Sequence, residues 1–440
     1  MRQLLIISPH FPPVNAPDMQ RVRMSLPYYR AHGWNPVVLT VHPRRQHALP
    51  EPELCRTVPE DIEVVYCGAL PQALAHPFGI HNVALRAWAP LFLQGLALLK
   101  KRRFDLVFFS TTQFAVYPMG PLWQALTGTP YVIDIQDPWL TDYYYQPGAR
   151  KAPGGWKFHF SYLQAQLAQE PIYRRAAGFI SVSKRYLTDL EISYPWMRDK
   201  PRDTIAFGVS ETDLQAAKKT APQPGPSPAR PGLVRVVYTG AAGPIMPDAL
   251  RCLFAGLRLL RQQDPEAAAR LRFEFLGTSY APAGLAQCSV LPVAREEGLA
   301  DFVSEEPERI GHLDSLRMQA GADVLLLLGS KDLAYSPSKI YPYFLSGKPM
   351  LSLAFQGSVL EDLLLHLRCG TRVALRPNAP PEESAESVAS ALALTARNPT
   401  ALETGSRNET AFRRDFLAES LTVRQCQIFD QSLTATQKPA

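Results

Sequence analysis

Two loops in the second half of the sequence carry residues suited to binding a diphosphate. The TGAAGP loop, residues 239–244, follows the apolar run VRVVY, and a second loop follows DVLLLLGS. Glycines let a backbone approach a ligand closely, while serine hydroxyls and a lysine ammonium bind phosphate oxygens. The alternative is an ordinary strand-to-helix turn in which Ser338 caps a helix and Lys339 is solvated. The candidate donor-binding residues of these loops are Gly240, Gly243, Ser336, Ser338 and Lys339.

The second loop leads into a helix that contains Pro342. Proline has no N–H, and its ring crowds the carbonyl four residues earlier, so the helix is predicted to begin near Tyr341 or Pro342. Residues 336–340 then form a loop from which Lys339 is free to reach a diphosphate.

Candidate catalytic groups lie in the first half of the chain. Asp134 and Asp137 follow the run YVI at the predicted carboxyl end of a strand, where α/β sheets bind ligands. Asp137 precedes Pro138 and is therefore expected in a loop, where it orients or deprotonates an acceptor hydroxyl, or else caps a turn. Asp18, in the loop after the first strand, is the second candidate. His10 and Arg21 flank that loop, and with Asp134 they are candidate contacts of the acceptor or of a phosphate. The alternative is that His10 and Arg21 are ordinary surface residues.

Short apolar runs alternate with longer segments of helical period through most of the chain, which predicts parallel sheets covered by helices. The Pro-rich stretch 222–232 interrupts this alternation and is predicted to link two α/β domains, 1–221 and 233–408. A helix over 409–433 is expected to return to the first domain, followed by a disordered tail at 434–440.

Composition excludes several classes of protein. The net charge of +6 over 440 residues, with no basic tail or nucleic-acid-binding motif, argues against a nucleic-acid partner. Six cysteines without a C-x-x-C pair argue against disulfides and zinc and fit a reducing cytoplasm. The apolar run near the N-terminus leads into prolines and is interpreted as a buried strand rather than a signal peptide. No membrane span and no metal cofactor are expected.

The segment PSKIYPYFLSGKPML resembles the P-S-K…G-K-P segment of glycosyltransferase family 4. Further segments resemble the family in the same order: FPPVNAPDMQRVR, HGWNPVVLT, YVIDIQDPW, ISVSK and FEFLGTSY. The resemblance implies the GT-B fold, in which two Rossmann-like domains with parallel sheets face a central cleft. It also implies that Gly277 and His312 lie in the donor site, His312 being otherwise a cap or loop residue.

Two departures from the family pattern concern donor binding. Many members carry two glutamates with seven residues between them, and the matching positions here are Ala334 and Pro342. The usual glycine pair of the opening loop is replaced by Ala16 and Pro17. Donor contacts are therefore expected to differ from those of the family, and loss of activity is an alternative.

The resemblance implies transfer of a sugar from a nucleotide-sugar donor to a glycan or lipid-linked acceptor during surface polysaccharide assembly. Two alternatives are a GT-B epimerase and a non-catalytic protein that binds a nucleotide sugar. The segment 85–103, LRAWAPLFLQGLALLKKRR, joins an apolar helix to four basic residues. Such a segment suits peripheral binding to an anionic membrane, or else is a core helix that ends in cations.

Overall fold

The computed structural model describes residues 1–46, 48–75, 77, 79–140, 156–219, 232–242, 246–279, 281, 284–333, 335, 338–403 and 405–437. The chain divides into two compact units. The first comprises Met1–Gly208 and Ala418–Ala440, and the second comprises Val209–Leu417. The boundary lies before the predicted linker, of which only residue 232 is described. Helix α8 (Glu211–Lys218) contacts α12 (His312–Ala320) and so belongs to the second unit rather than to a domain ending at 221.

The first unit is built on a parallel sheet in the order β5-β3-β1-β6-β7-β8-β9. Its strands, with the short antiparallel pair β2 and β4, are β1 (Arg2–Ile7), β2 (Val14–Asn15), β3 (Trp34–Val41), β4 (Leu49–Pro50), β5 (Glu63–Cys67), β6 (Leu106–Ser110), β7 (Tyr131–Ile135), β8 (Gly178–Ser181) and β9 (Arg202–Thr204). Its helices before the boundary are α1 (Gln20–Ser25), α2 (Gln72–Ala75), α3 (Val83–Arg86), α4 (Trp88–Lys101), α5 (Met119–Thr127), α6 (Trp156–Arg175) and α7 (Lys184–Ser193).

The second unit has a parallel sheet in the order β12-β11-β10-β13-β14-β15. Its strands are β10 (Val234–Thr239), β11 (Leu271–Leu276), β12 (Val303–Glu306), β13 (Val324–Leu328), β14 (Met350–Phe355) and β15 (Thr371–Leu375). Besides α8 and α12, its helices are α9 (Pro247–Gln263), α10 (Pro265–Ala269), α11 (Leu291–Glu296), α13 (Ile340–Ser346), α14 (Val359–Leu367), α15 (Ala385–Arg397) and α16 (Glu409–Phe416).

The C-terminal segment forms two helices rather than the one predicted over 409–433. Helix α16 packs in the second unit, where Phe412 stacks on Phe344 at 4.1 Å between ring centroids. Leu417 separates α16 from α17 (Ala418–Gln437). Helix α17 packs in the first unit, where the ring centroids of Phe429 and Phe108 are 4.9 Å apart. Because α17 continues to Gln437, residues 434–437 are helical, in contrast to the predicted tail.

In both sheets the strand order reverses once, between β1 and β6 in the first unit and between β10 and β13 in the second. At such a switch point the loops after the two strands diverge to opposite faces and leave a crevice at the carboxyl edge, where ligands bind in α/β proteins. The loops that follow these four strands carry most of the predicted site residues.

Candidate functional site

The switch point of the first unit holds a histidine–aspartate pair. Pro17 sets the start of the 3-10 helix Pro17–Met19, which places Asp18 in the loop after β1. The Nδ1 of His10 lies 2.9 Å from Oδ1 of Asp18, and Thr111, directly after β6, donates a 2.6 Å hydrogen bond to Oδ2. Asp18 is 3% exposed and His10 is 14% exposed in side-chain terms. Asp18 therefore orients the imidazole, and His10 is the more accessible of the two groups.

The electrostatics of this pair keep Asp18 ionised. Burial raises the pKa of Asp18, but its electrostatic interaction with His10 and the hydrogen bonds from His10 and Thr111 outweigh burial, and the net pKa is below the usual value. The carboxylate thus remains a hydrogen-bond acceptor that holds the Nδ1–H of His10. This arrangement leaves Nε2 of His10 as the nitrogen available to a substrate proton.

Asp134 and Arg21, predicted to contact acceptor or phosphate, instead form a buried ion pair. The Nε of Arg21 lies 2.7 Å from Oδ2 of Asp134, and the side chains are 1% and 0% exposed. Arg21 also donates to the carbonyls of Ile205 at 2.6 Å and Ala206 at 3.2 Å. Because these bonds engage its nitrogens and the side chain is buried, Arg21 joins α1 to β7 and to the segment after β9.

Two polar residues connect this ion pair to the loop of Asp18. Ser110 and Gln136 donate to Oδ2 of Asp134 at 2.8 and 2.9 Å, and Gln136 also donates to the carbonyl of Asp18 at 3.1 Å. Sequence reasoning missed Ser110, Thr111 and Gln136. Their position directly at the ends of β6 and β7 was the available signal, since polar residues there lie at the ligand-binding edge.

Asp137, the first catalytic candidate, is exposed beyond the end of β7. Desolvation of its carboxyl group by neighbouring atoms, and then the negative charge of Asp18, raise the pKa of Asp137. The Asp137 carboxylate is therefore within electrostatic range of Asp18, at the same carboxyl edge of the sheet.

The switch point of the second unit holds Lys339. Its Nζ donates to the hydroxyl of Tyr238 at 2.6 Å and lies 3.8 Å from the centroid of the tyrosine ring. The side chain passes Gly240, whose φ of +95° requires glycine and whose absent Cβ would lie 3.5 Å from Nζ. Desolvation lowers the pKa of the Lys339 ammonium to about 7. No carboxylate pairs with this ammonium among the described residues.

The helix after this loop begins at Ile340, one residue before the predicted start. Pro342 fits because it lies in the first turn, where a backbone N–H has no partner within the helix. Lys339 is the residue that precedes the helix, and its side chain is held by Tyr238 rather than free. Tyr238, inside β10, was not predicted, and its place within a buried strand offered no signal of a role at the site.

The other donor-site predictions have different outcomes in the structure. Ser338 is exposed next to Lys339, and Gly277 adopts a φ of +72° at the end of β11. The Nε2 of His312 lies 2.9 Å from Oδ2 of the buried Asp213, so this histidine ties α12 to α8. Gly243, Ser336 and Ala334 lie outside the described residues.

Neither a metal cluster nor a membrane span occurs in the described part of the chain. No group of three or more His, Cys, Asp and Glu side chains there could hold a metal ion. No described helix is both long and apolar enough to cross a bilayer.

Residues 20–195 match the family model of the glycosyl transferase 4-like domain. Anabaena HepE in complex with UDP-glucose aligns over 98% of this chain and 99% of its own, at 16% identity and a TM-score of 0.54. The α,α-trehalose-phosphate synthase of Burkholderia vietnamiensis aligns over 99% of each chain at 13% identity, with a TM-score of 0.55.

The lipopolysaccharide outer core galactosyltransferase WaaB aligns over 99% of this chain and 100% of its own, at 11% identity and a TM-score of 0.52. No curated protein sequence is significantly similar to the chain. These likenesses establish the GT-B fold.

Proposed function

We propose that this chain, in which residues 20–195 form a glycosyl transferase 4-like domain within a GT-B fold, transfers a sugar from a nucleoside-diphosphate donor. The observation that carries the proposal is the ammonium of Lys339, which lies at a strand switch point beside a glycine in the left-handed conformation. An ammonium without a carboxylate partner in such a crevice is complementary to a diphosphate.

We propose uridine as the base of the donor, because solved structures of the same fold include HepE bound to UDP-glucose and HepE bound to UDP. The positive charge near the diphosphate comes from Lys339, so the reaction is proposed to need no metal cofactor. His10, oriented by Asp18, is proposed as the group that takes the proton from the acceptor hydroxyl, with Asp137 beside it.

The acceptor is proposed to be a glycan or a lipid-linked glycan at the cytoplasmic face of a membrane, in surface polysaccharide assembly. Support comes from WaaB, a lipopolysaccharide galactosyltransferase of the same fold, and from the surface of α4. Leu93, Ala97 and Lys100 are exposed at helical spacing along one stripe of α4, next to Lys101. Arg102 of this segment pairs with Glu63 instead.

Transfer is distinguished from binding by incubating the protein with UDP-sugars and measuring UDP release with and without candidate acceptors. Acceptor-dependent release supports the transferase. Binding of a UDP-sugar without release supports the non-catalytic alternative, and conversion of the donor sugar without release supports the epimerase. Absence of both binding and release contradicts all three functions.

Replacing Lys339 with Ala is expected to weaken UDP binding by about 1.5–3 kcal/mol, the scale of a hydrogen bond to a charged group. Calorimetric titration of UDP measures the change. Lys348→Ala is the matched control, because it removes the same charge from a lysine that lies just beyond the C-terminal end of α13. An unchanged dissociation constant in the Lys339 variant would place the diphosphate elsewhere.

The lowered pKa of Lys339 adds a pH dependence to the same measurement. The protonated ammonium binds the diphosphate, and its pKa in the free protein is about 7. Above pH 7 the free ammonium deprotonates, so UDP affinity is expected to fall by up to about tenfold per pH unit until the pKa of the complex is reached. The Lys339→Ala variant should lack this fall, whereas Lys348→Ala should retain it.

If the α4 stripe contacts a membrane, the protein should bind vesicles containing phosphatidylglycerol and dissociate as salt rises, because salt screens surface charge. The double variant Lys100→Gln/Lys101→Gln should lose about 2 kcal/mol of binding, near 1 kcal/mol per cation. Lys218→Gln/Lys219→Gln, on exposed positions of the second unit, is the control. Equal binding to neutral vesicles would count against this surface.

A further inference from the structure

A second crevice lies at the carboxyl edge of the first sheet, away from the residues assigned above. It is a cavity of about 530 Å³ at the ends of β3 and β5. Its lining residues are His42, Arg44, Arg45, Tyr66, Cys67 and Gly68. Of the described residues that line the cavity, three are basic and none is acidic.

The two arginines of this cavity are positioned by a short local structure. Pro43 begins the 3-10 helix Pro43–Arg45, and Nδ1 of His42 accepts a 3.3 Å hydrogen bond from the backbone N–H of Arg44. The His42 ring lies edge-on to Tyr66 at 5.7 Å between centroids. Both arginine side chains are exposed, and neither pairs with a carboxylate in the described part of the chain. Their guanidinium groups are therefore available to an anion.

A third guanidinium, that of Arg86, contacts the backbone of Arg45. Arg86 is 2% exposed and donates to the carbonyls of Arg45 at 2.7 Å and Leu70 at 2.9 Å. Its Nε has no hydrogen-bond partner among the described residues. Both acceptors are neutral carbonyl groups, so they do not neutralise the charge of Arg86. A buried cation without a counter-ion is costly unless an anion approaches it.

We propose that this cavity binds a phosphate group of the acceptor, with Arg44 and Arg45 as its ligands, Arg86 as a buried supporting charge and Tyr66 beside it. Two exposed guanidinium groups with a third positive charge close by suit a dianionic oxyanion. The assignment of the phosphate to an acceptor rests on the proposed function, whereas the binding of phosphate does not.

The fold relates this cavity to His10. Strands β5, β3 and β1 are consecutive in the sheet, and the N–H of Val41 donates to the carbonyl of Pro9 at 3.3 Å, next to His10. Neighbouring strands lie about 4.8 Å apart, so the ends of β5 and β1 are separated by about 10 Å. A phosphate in the cavity would thus lie on the order of 10 Å from the end of β1, the strand that precedes His10.

The test measures inorganic phosphate binding to the full chain at constant ionic strength. The double variant Arg44→Gln/Arg45→Gln should bind phosphate at least about tenfold more weakly, since two charge-assisted contacts are lost. Lys218→Gln/Lys219→Gln is the charge-matched control and should bind as the wild type does. Unchanged binding in the arginine variant, or an equal loss in the lysine control, would overturn the proposal.

Two further measurements complete the test. The first identifies the source of the phosphate, and the second shows whether the phosphate result depends on the proposed donor. In the first, vesicles containing phosphatidic acid replace inorganic phosphate in the binding experiment. If the arginine variant binds these vesicles more weakly than the wild type does, the ligand of the cavity is a lipid-linked phosphate. Unchanged vesicle binding together with lost phosphate binding assigns a soluble phosphorylated acceptor. UDP is titrated separately, and if it does not bind the wild type, the donor proposal fails while the phosphate result stands.

Discussion

Replacing His10 with Ala is expected to lower the rate of sugar transfer by about 10²–10⁴-fold, the usual contribution of a positioned general base. The reason is the geometry of the pair at the first switch point: Asp18 holds Nδ1 at 2.9 Å, so Nε2 is the nitrogen that can take the acceptor proton. Initial rates of UDP release at saturating donor and acceptor measure the loss.

Two controls separate a catalytic role of His10 from a structural one. His32→Ala removes an exposed imidazole from the same unit and should leave the rate unchanged. Added imidazole should restore part of the activity to His10→Ala, because a free base can enter the space of the missing ring. UDP affinity should not change, since the proposed diphosphate ligands belong to the other unit. Wild-type turnover in His10→Ala would remove the histidine from the mechanism.

The second large effect is expected on stability. Asp134→Ala should destabilise the first unit by about 3–5 kcal/mol, because it leaves the buried Arg21 guanidinium without its carboxylate. Three hydrogen bonds to Oδ2 of Asp134, from Arg21, Ser110 and Gln136, are lost together. Urea unfolding followed by tryptophan fluorescence measures the change, and all six tryptophans lie in the first unit.

The control for this measurement is Asp61→Ala, which removes the carboxylate of an exposed ion pair with Arg30. Exposed pairs contribute about 0–1 kcal/mol, so the two variants should differ by several kcal/mol. A loss below about 1 kcal/mol in Asp134→Ala would show that the pair is not needed to hold β7 to α1, and Arg21 would again be a candidate ligand.

The central strands of both sheets follow from the sequence, and the four edge strands do not. Runs such as LLII and VLLLL are buried on both faces and are continuously apolar, so hydrophobic pattern alone identifies them. The edge strands β5, β9, β12 and β15 are partly exposed and carry mixed residues, for example VSEE in β12. Because these strands form only by pairing with a neighbouring strand, the local sequence pattern does not identify them.

The sequence by itself determined that His10, Asp18 and Asp137 lie in loops after strands, and that Lys339 precedes a helix, because prolines and apolar runs set these boundaries locally. Only the tertiary structure decided which of these side chains remain accessible. Arg21 and Asp134 are 113 positions apart, and Lys339 and Tyr238 are 101 apart. Strand order brings each pair together. The burial that follows turns Arg21 into an internal ion-pair partner, whereas the Lys339 ammonium has no carboxylate partner among the residues that the structure describes, at the carboxyl edge of its sheet.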